Sequence, residues 1–185
     1  IGVVGFIGSG KGTVGDLLEQ RGFIKDSFAK PLKDACAVMF GWPRDLLEGD
    51  TEESRNWREQ PDDFWSEKMG KKFSPRLALQ LLGTEAGRDV FHKDIWVASV
   101  ENKLRQTKDD IVITDCRFAN EVYAIKNVGG TTCRVFRGDN PDWYQAAIEY
   151  NKGPNGNSYW ATSKAKLDRQ KVHASEYSSV GLNYD

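Results

Sequence analysis

The 185-residue chain has only two histidines and three cysteines, and no run of about 18 apolar residues. Each scarcity excludes something. The histidines show no metal-ligand spacing, so a zinc-type enzyme is not expected. Cys36, Cys116 and Cys133 are odd in number, far apart and without a C-x-x-C pair, which fits reduced thiols rather than a disulfide frame. Cys36 and Cys133 lie in apolar runs and are expected simply to pack. Without a long apolar run no segment should span a bilayer, and the apolar start is too short and glycine-rich for a signal peptide. A formal net charge of -1 lacks the basic field that draws proteins onto nucleic acid, so neither nucleic acid nor a membrane is an expected partner. Nothing recurs with the period of a repeat protein. The first residue is Ile, already inside an apparent strand, and the end "SSVGLNYD" has no tail-like composition, so both ends read as trimmed.

What the chain does have is strand and helix in alternation. A domain of this size buries roughly 70% of its unfolded surface, enough for one core that carries a flap. "IGVVGFI" reads as a strand and "TVGDLLEQRG" as a helix stopped by Gly22; "FIKDSFA" reads as a second strand, and "PLKDACAVMFG" as a helix with Pro at its start and Gly at its end. Residues 44–70 carry nine acidic and four basic residues with Trp57, Phe64 and Trp65 interleaved, and read as an inserted, partly helical acidic flap. "SPRLALQLLGTEAGRDVF" opens with a Ser-Pro helix start, and "DIWVASVENKLRQ" is an amphipathic helix with Asp94 as candidate N-cap. "DDIVITD" has the unbroken β-branched character of a buried parallel strand, "NEVYAIKNVGG" returns as a helix, and "TTCRVFRG" is another strand. Residues 138–171 read as a lid region, loop-rich in its middle; residues 151–171 hold five basic residues against one acidic. The expected fold is α/β, a parallel sheet flanked by helices, with ligands at the carboxyl ends of its strands.

Four groups of residues point to phosphate chemistry. In "GFIGSGKGT", Gly5, Gly10 and Lys11 satisfy G-x-x-x-x-G-K between a strand and a helix, so the backbone from Gly8 through Ser9, Gly10, Lys11, Gly12 and Thr13 should curl around phosphates. The hydroxyl that usually follows the lysine and binds Mg²⁺ comes one place late, at Thr13; that residue is expected on phosphate rather than on metal. Asp115, ending the "IVITD" strand, is where such proteins hold Mg²⁺, directly or through water, and Arg117 could bind the transferring phosphate or instead pair with Glu121. Arg76, Gln80, Thr84 and Arg88 recur every fourth residue as a slowly drifting polar stripe, a helix followed by a bent loop where Gly83 and Gly87 weaken it, or else a merely solvated face. Lys30 and Lys33 follow the second strand and are either an acceptor-phosphate site or exposed lysines at a helix start. His173, in "HASEY", could cap or bridge as readily as catalyse.

Taken together and in order, "GFIGSGKGT", "SFAKPLKDA", "SPRLALQLLGTEAGRDVFHKDIWV", "ITDCRFANE" and "HASEY" resemble the deoxynucleoside monophosphate kinases of bacteriophages over nearly the whole chain. The resemblance implies a three-layer P-loop kinase fold in one domain, with an acceptor-binding flap and a lid. It implies transfer of the γ-phosphate of ATP to a dNMP, with Mg²⁺, in the cytoplasm of a host cell, and it leaves a homodimer open. By matching position, Lys11, Asp115 and Arg117 would be catalytic, with Asp115 organising Mg²⁺ through water. Lys30, Lys33, Arg76, Gln80, Arg88 and Trp96 would belong to the acceptor side, Trp160 and Arg169 to the lid, and Glu176 to the family's Ser-Glu pair. Two departures stand out: Gly12 replaces the Asp that related phage enzymes often carry, and the final strand and helix expected after "GLNYD" are missing. Dephospho-coenzyme A kinase, phosphomevalonate kinase and a non-catalytic nucleotide-binding module are the competing readings.

Overall fold

The structure, a computed structural model, describes residues 1–185. The chain divides into two compact units: residues 1–27 with 103–185, and residues 28–102. No helix is long and apolar enough to cross a membrane.

The first unit is a three-layer α/β assembly around four parallel strands in the order β2-β3-β1-β4. These are β1 (Gly2–Val4), β2 (Ile24–Asp26), β3 (Ile111–Cys116) and β4 (Thr132–Arg134). The two inner strands explain their own composition. Val3, Val4, Val112 and Ile113 are buried on a sheet covered on both faces, so their runs are continuously apolar rather than alternating. Gly2 sits opposite Ile113 on one side and Thr132 on the other, and the β1–β3 register slips between Gly2 and Val4. At the edge, β2 keeps a polar Ile-Lys-Asp sequence with Ile24 exposed. "FIKDSFA" and "TTCRVFRG" therefore each contribute only three residues of true strand, and the remainder leaves the ladder as loop. Buried Asp26 is held by Lys103, 2.5 Å away on α6 (Ile95–Gln106), and by the N–H of Ser27.

Helices α1 (Lys11–Glu19) and α7 (Ala119–Asn127) pack against these strands. The loop-rich segment beyond β4 folds into α8 (Tyr144–Asn151) and α9 (Trp160–Arg169), which pack on each other around Ala147, Leu167 and Val180. A short α10 (Ala174–Tyr177) follows, and His173 caps it by accepting from the N–H of Ser175. Of the three roles open to His173, capping is the one seen in the fold.

The second unit is helical. It contains α2 (Lys30–Phe40), a single 3₁₀ turn at Asp45–Leu47, α3 (Glu52–Glu59), α4 (Asp63–Met69) and α5 (Pro75–Gln80), followed without a break by a π-helix over Leu81–Phe91. Its helix starts are written in sequence: Thr51 and Ser54 form a capping box on α3, Asp62 caps α4, and Ser74 caps α5 ahead of Pro75. The core is aromatic. Phe40 stacks on Trp42 at 4.6 Å and meets Trp65 edge-on at 5.1 Å, while Cys36, Leu47, Phe73 and Ala78 fill the space beside them. Buried Trp42 and half-buried Trp65 each keep a partner for the indole N–H, Trp42 Nε1 on Asp62 and Trp65 Nε1 on the carbonyl of Phe40. The hydrogen bonds to Asp62, from the N–H of Trp65 and the indole of Trp42, hold its carboxyl below the usual carboxylate range.

Leu47 is fully buried in this core. Leu47→Ala should cost about 2–5 kcal/mol, because the rings around it cannot collapse into the space left. Urea denaturation followed by tryptophan fluorescence measures it.

Candidate active site

The glycine-rich loop after β1 is a tight turn that opens directly into a helix. Ser9 N–H donates to the carbonyl of Phe6 at 3.2 Å, and Gly8 and Gly10 take positive φ angles of 78° and 99°, a backbone region that side chains disfavour. Gly10 is the N-cap of α1 and supplies no side-chain cap, nor is there an acidic residue in the first turn. The amino-terminal N–H groups of α1 are thus left to an outside acceptor, the arrangement that favours an anion. A Cβ placed on Gly8 or Gly12 would meet nothing within 4 Å, so the loop borders open space. Ser9 Oγ is buried without a hydrogen-bond partner. An orphaned hydroxyl in such a loop is a donor suited to a phosphate oxygen.

The Lys11 ammonium lies back along the loop, donating to the carbonyls of Gly5 at 2.7 Å and Phe6 at 2.8 Å. Burial lowers its pKa and the charge of Arg117 lowers it further, with Glu176 and Asp115 opposing. Lys11, Asp115, Arg117 and Glu176 are therefore close enough to feel one another. Asp115 is the half-buried next-to-last residue of β3. Glu176 links two parts of the site: one carboxylate oxygen accepts from the backbone N–H of Ile7 at 3.2 Å, and the other lies 3.7 Å from the Arg117 guanidinium.

The alternative partner for Arg117 was Glu121, four residues on. The actual contact is different. Glu121 accepts from the backbone N–H groups of Arg117 at 2.7 Å and Phe118 at 3.0 Å, which leaves the guanidinium to turn toward Glu176. Sequence reading named Glu121 only as a partner for the Arg117 side chain, and its part as a backbone cap was missed. Its only signal was an acidic residue three places into a helix, the position from which a carboxylate reaches back to cap. Burial pushes its carboxyl from 4.5 up to about 7, with help from the charge of Asp115; the two N–H bonds and Arg117 work against the rise.

In the other unit, Arg76, Gln80, Thr84 and Arg88 are all exposed. The expected bend at the glycines does not occur; the helix changes its winding instead. A four-residue step on an α-helix overshoots a turn by about 40°, whereas a helix closed by i→i+5 bonds needs more than four residues per turn, so the same step falls short. Drift built up from Arg76 to Gln80 is reversed from Gln80 to Arg88, and the stripe stays on one face. The buried glycines permit this by close approach: a Cβ on Gly83 would lie 2.9 Å from Leu32, and one on Gly87 would lie 2.8 Å from the ring of Trp96. Trp96 Nε1 donates to the carbonyl of Gly83 at 2.9 Å, so this indole braces the π-helix. Beside the stripe, Arg76, Leu79 and Gln80 line a hollow of about 370 Å³.

The remaining candidates are distributed as follows. Lys33 is ion-paired with Glu48, which Arg44 also holds, and these hydrogen bonds outweigh burial to keep the Glu48 carboxyl below its usual range. Lys30 is the first residue of α2. Trp160 stacks on Tyr150 at 5.4 Å, and Arg169 is exposed in the last turn of α9. Thr13 is exposed in the first turn of α1.

Comparison with known proteins bears directly on this arrangement. A deoxynucleotide monophosphate kinase, by name, of Acanthamoeba polyphaga mimivirus is 35% identical over 150 residues, covering 74% of this chain and 73% of the relative. The chain belongs to the deoxynucleoside monophosphate kinase family. A deoxynucleoside-5'-monophosphate kinase of Escherichia phage T5 is 49% identical over 49 residues, which is 26% of this chain and 20% of that enzyme. No protein-family model matches the chain.

The buried carboxyl of Glu121 makes stability depend on pH. With its folded pKa raised, its contribution is fully present below about 4.5 and is lost as pH rises through about 7. Glu121→Gln cannot titrate, so from pH 4 to 8 the variant should gain on the order of 1–3 kcal/mol relative to the parent. Chemical denaturation at several pH values reads this difference.

Proposed function

We propose that the protein is an ATP-dependent deoxynucleoside monophosphate kinase, moving the γ-phosphate of ATP onto a dNMP to give a dNDP and ADP. The observation that carries the reading is the uncapped start of α1 behind a left-handed glycine turn, with Lys11 and Arg117 beside it, in a chain of this family. Phosphoryl transfer asks little covalent chemistry of a protein; it asks for in-line positioning, neutralised charge and excluded water. The backbone from Gly8 to Thr13 holds the ATP phosphates and Ser9 Oγ adds a hydroxyl donor. Lys11 swings from the carbonyls of Gly5 and Phe6 onto the outer phosphates. Arg117 meets the charge that spreads over the transferred group. A phosphate acceptor is already a competent nucleophile, so no general base is required.

A strand-end carboxylate next to a phosphate loop suits Mg²⁺, which keeps several waters and takes few protein ligands alongside substrate phosphates. Asp115 would hold it through water, and when bound it supplies charge neutralisation between the phosphates. Glu176 serves this site by holding Ile7 and Arg117 in place, since a carboxylate repels phosphate. On the acceptor side, Arg76 and Arg88 offer guanidinium groups to the dNMP phosphate, and Gln80 and Thr84 offer groups that can read a base edge. Lys30 and Lys33 add positive charge and Trp96 keeps the stripe in line. Residues 44–70 act as the flap and 138–171 as the lid, with Trp160 and Arg169 closing over the nucleotide to shield transfer from water. The host-cell cytoplasm is the compartment this chemistry implies.

A coupled ADP-release assay with the four dNMPs, dephospho-coenzyme A and no acceptor tests the reading. Turnover is expected with at least one dNMP, and to stop when EDTA removes the metal. Turnover only with dephospho-coenzyme A, or with no acceptor at all, rejects it. Lys11→Ala should lower kcat about 100- to 1,000-fold without changing the circular dichroism spectrum.

A further inference from the structure

The glycine loop is tied to the helix pair beyond β4 at two places. At one, the Phe6 ring meets Trp143 edge-on at 5.2 Å just ahead of α8, and both rings pack against the small core of Ala147, Leu167 and Val180. At the other, Glu176 of α10 accepts from the N–H of Ile7 and faces the Arg117 guanidinium. The first tie is ordinary packing. The second puts a carboxylate beside a loop built to receive anions. A small displacement would set it against phosphate oxygens, so its position has to be fixed closely.

Helix α10 cannot fix that position by itself. It is four residues long, far below the length at which a helix holds together without outside contacts. Its start is capped by His173, whose Nδ1 also lies 2.9 Å from Ser175 Oγ. Its end is held from α8. Asn151, the last residue of α8, donates from Nδ2 to the carbonyl of Tyr177 at 2.6 Å and to that of Val180 at 2.8 Å, which uses both N–H groups of the amide. Next to it, Tyr150 meets Tyr177 edge-on at 5.6 Å and stacks on Trp160 of α9 at 5.4 Å. An exposed asparagine at a helix end can leave its amide to water; this one places both donors on the stretch that carries Glu176.

We propose that Asn151 is a positioning residue for phosphoryl transfer: it clamps α10 to the end of α8, which holds Glu176 on Ile7 and so sets the Arg117 guanidinium beside the glycine loop. Movement of α8 and α9 is then transmitted to the loop through α10. The proposal rests on the kinase reading, and its test separates the two by pairing turnover with a readout taken without nucleotide. Amide hydrogen exchange at Ile7, followed by NMR on the free chain, is measured alongside steady-state kinetics with ATP and the four dNMPs. The proteins compared are the parent, Asn151→Leu, Asn151→Asp, Glu176→Ala and the Asn151→Leu, Glu176→Ala double variant.

Leu and Asp keep the size of asparagine and remove its donors. Each should speed Ile7 exchange at least about 5-fold. Each should also lower kcat roughly 10- to 100-fold with KM for the dNMP unchanged. Asn151→Leu should add nothing to Glu176→Ala in either readout, because residues acting through one another are not additive. Circular dichroism identifies the folded variants, and either Asn151 variant suffices. A loss of stability in urea with Ile7 exchange and kcat at parent values overturns the proposal. So do effects of Asn151→Leu and Glu176→Ala that simply multiply in the double variant. A parent that turns over no dNMP rejects the kinase reading, and Ile7 exchange in the variants still decides whether Asn151 holds Glu176 on the loop.

Discussion

Much of the site depends on the junction between Gly10 and Lys11. There a left-handed residue without a side chain ends the loop and starts a helix whose first N–H groups have no internal acceptor. Replacing that glycine by a residue with a capping oxygen would satisfy those donors internally and close the place where an anion can be received. The hydroxyl that comes late, at Thr13, belongs to the same design. With Gly12 beside the lysine, nothing within 4 Å crowds the backbone at that point, and a phosphate can approach the main chain directly.

Around this junction the structure balances charges. Lys11, half-buried and facing the charge of Arg117, is held in a state whose positive charge is costly, and the carbonyls of Gly5 and Phe6 share it. Glu176 opposes that cost from one side and Asp115 from another. Phosphate oxygens would relieve the same tension more fully, which gives ligand binding a physical driving force beyond simple attraction. Glu121 plays a separate part: by capping the backbone at Arg117 and Phe118 it leaves the arginine side chain to Glu176.

The helical unit follows its own logic. Six tryptophans are many for a chain of this length, and three of them, Trp42, Trp57 and Trp65, pack into or against one core, on a segment whose surface is strongly acidic. Its most unusual element, the π-helix, is permitted by two glycines that let Leu32 and Trp96 come close. The widened turn keeps a four-residue repeat on one face where an ordinary helix would rotate it away.

Local sequence determined a good deal. The phosphate loop, the buried β3 run, the capped starts of α3, α4 and α5, and the alternation that makes a parallel sheet all follow from short-range rules of backbone preference and burial, so they are legible residue by residue. The lengths of β2 and β4 were not, because a strand continues only while a neighbour offers hydrogen bonds. Nor was the change from α to π winding, which depends on side chains approaching Gly83 and Gly87 from elsewhere in the unit. The pairing of Glu176 with Ile7 and Arg117 spans 169 residues of chain at its longest, and no local pattern encodes such a contact. Only the strand order decided that Asp115 and Arg117 lie on one side of the loop and β4 on the other. Sequence supplied the chemical groups and their local conformations; their convergence is a property of the folded sheet, where non-local pairing sets which loop ends become neighbours.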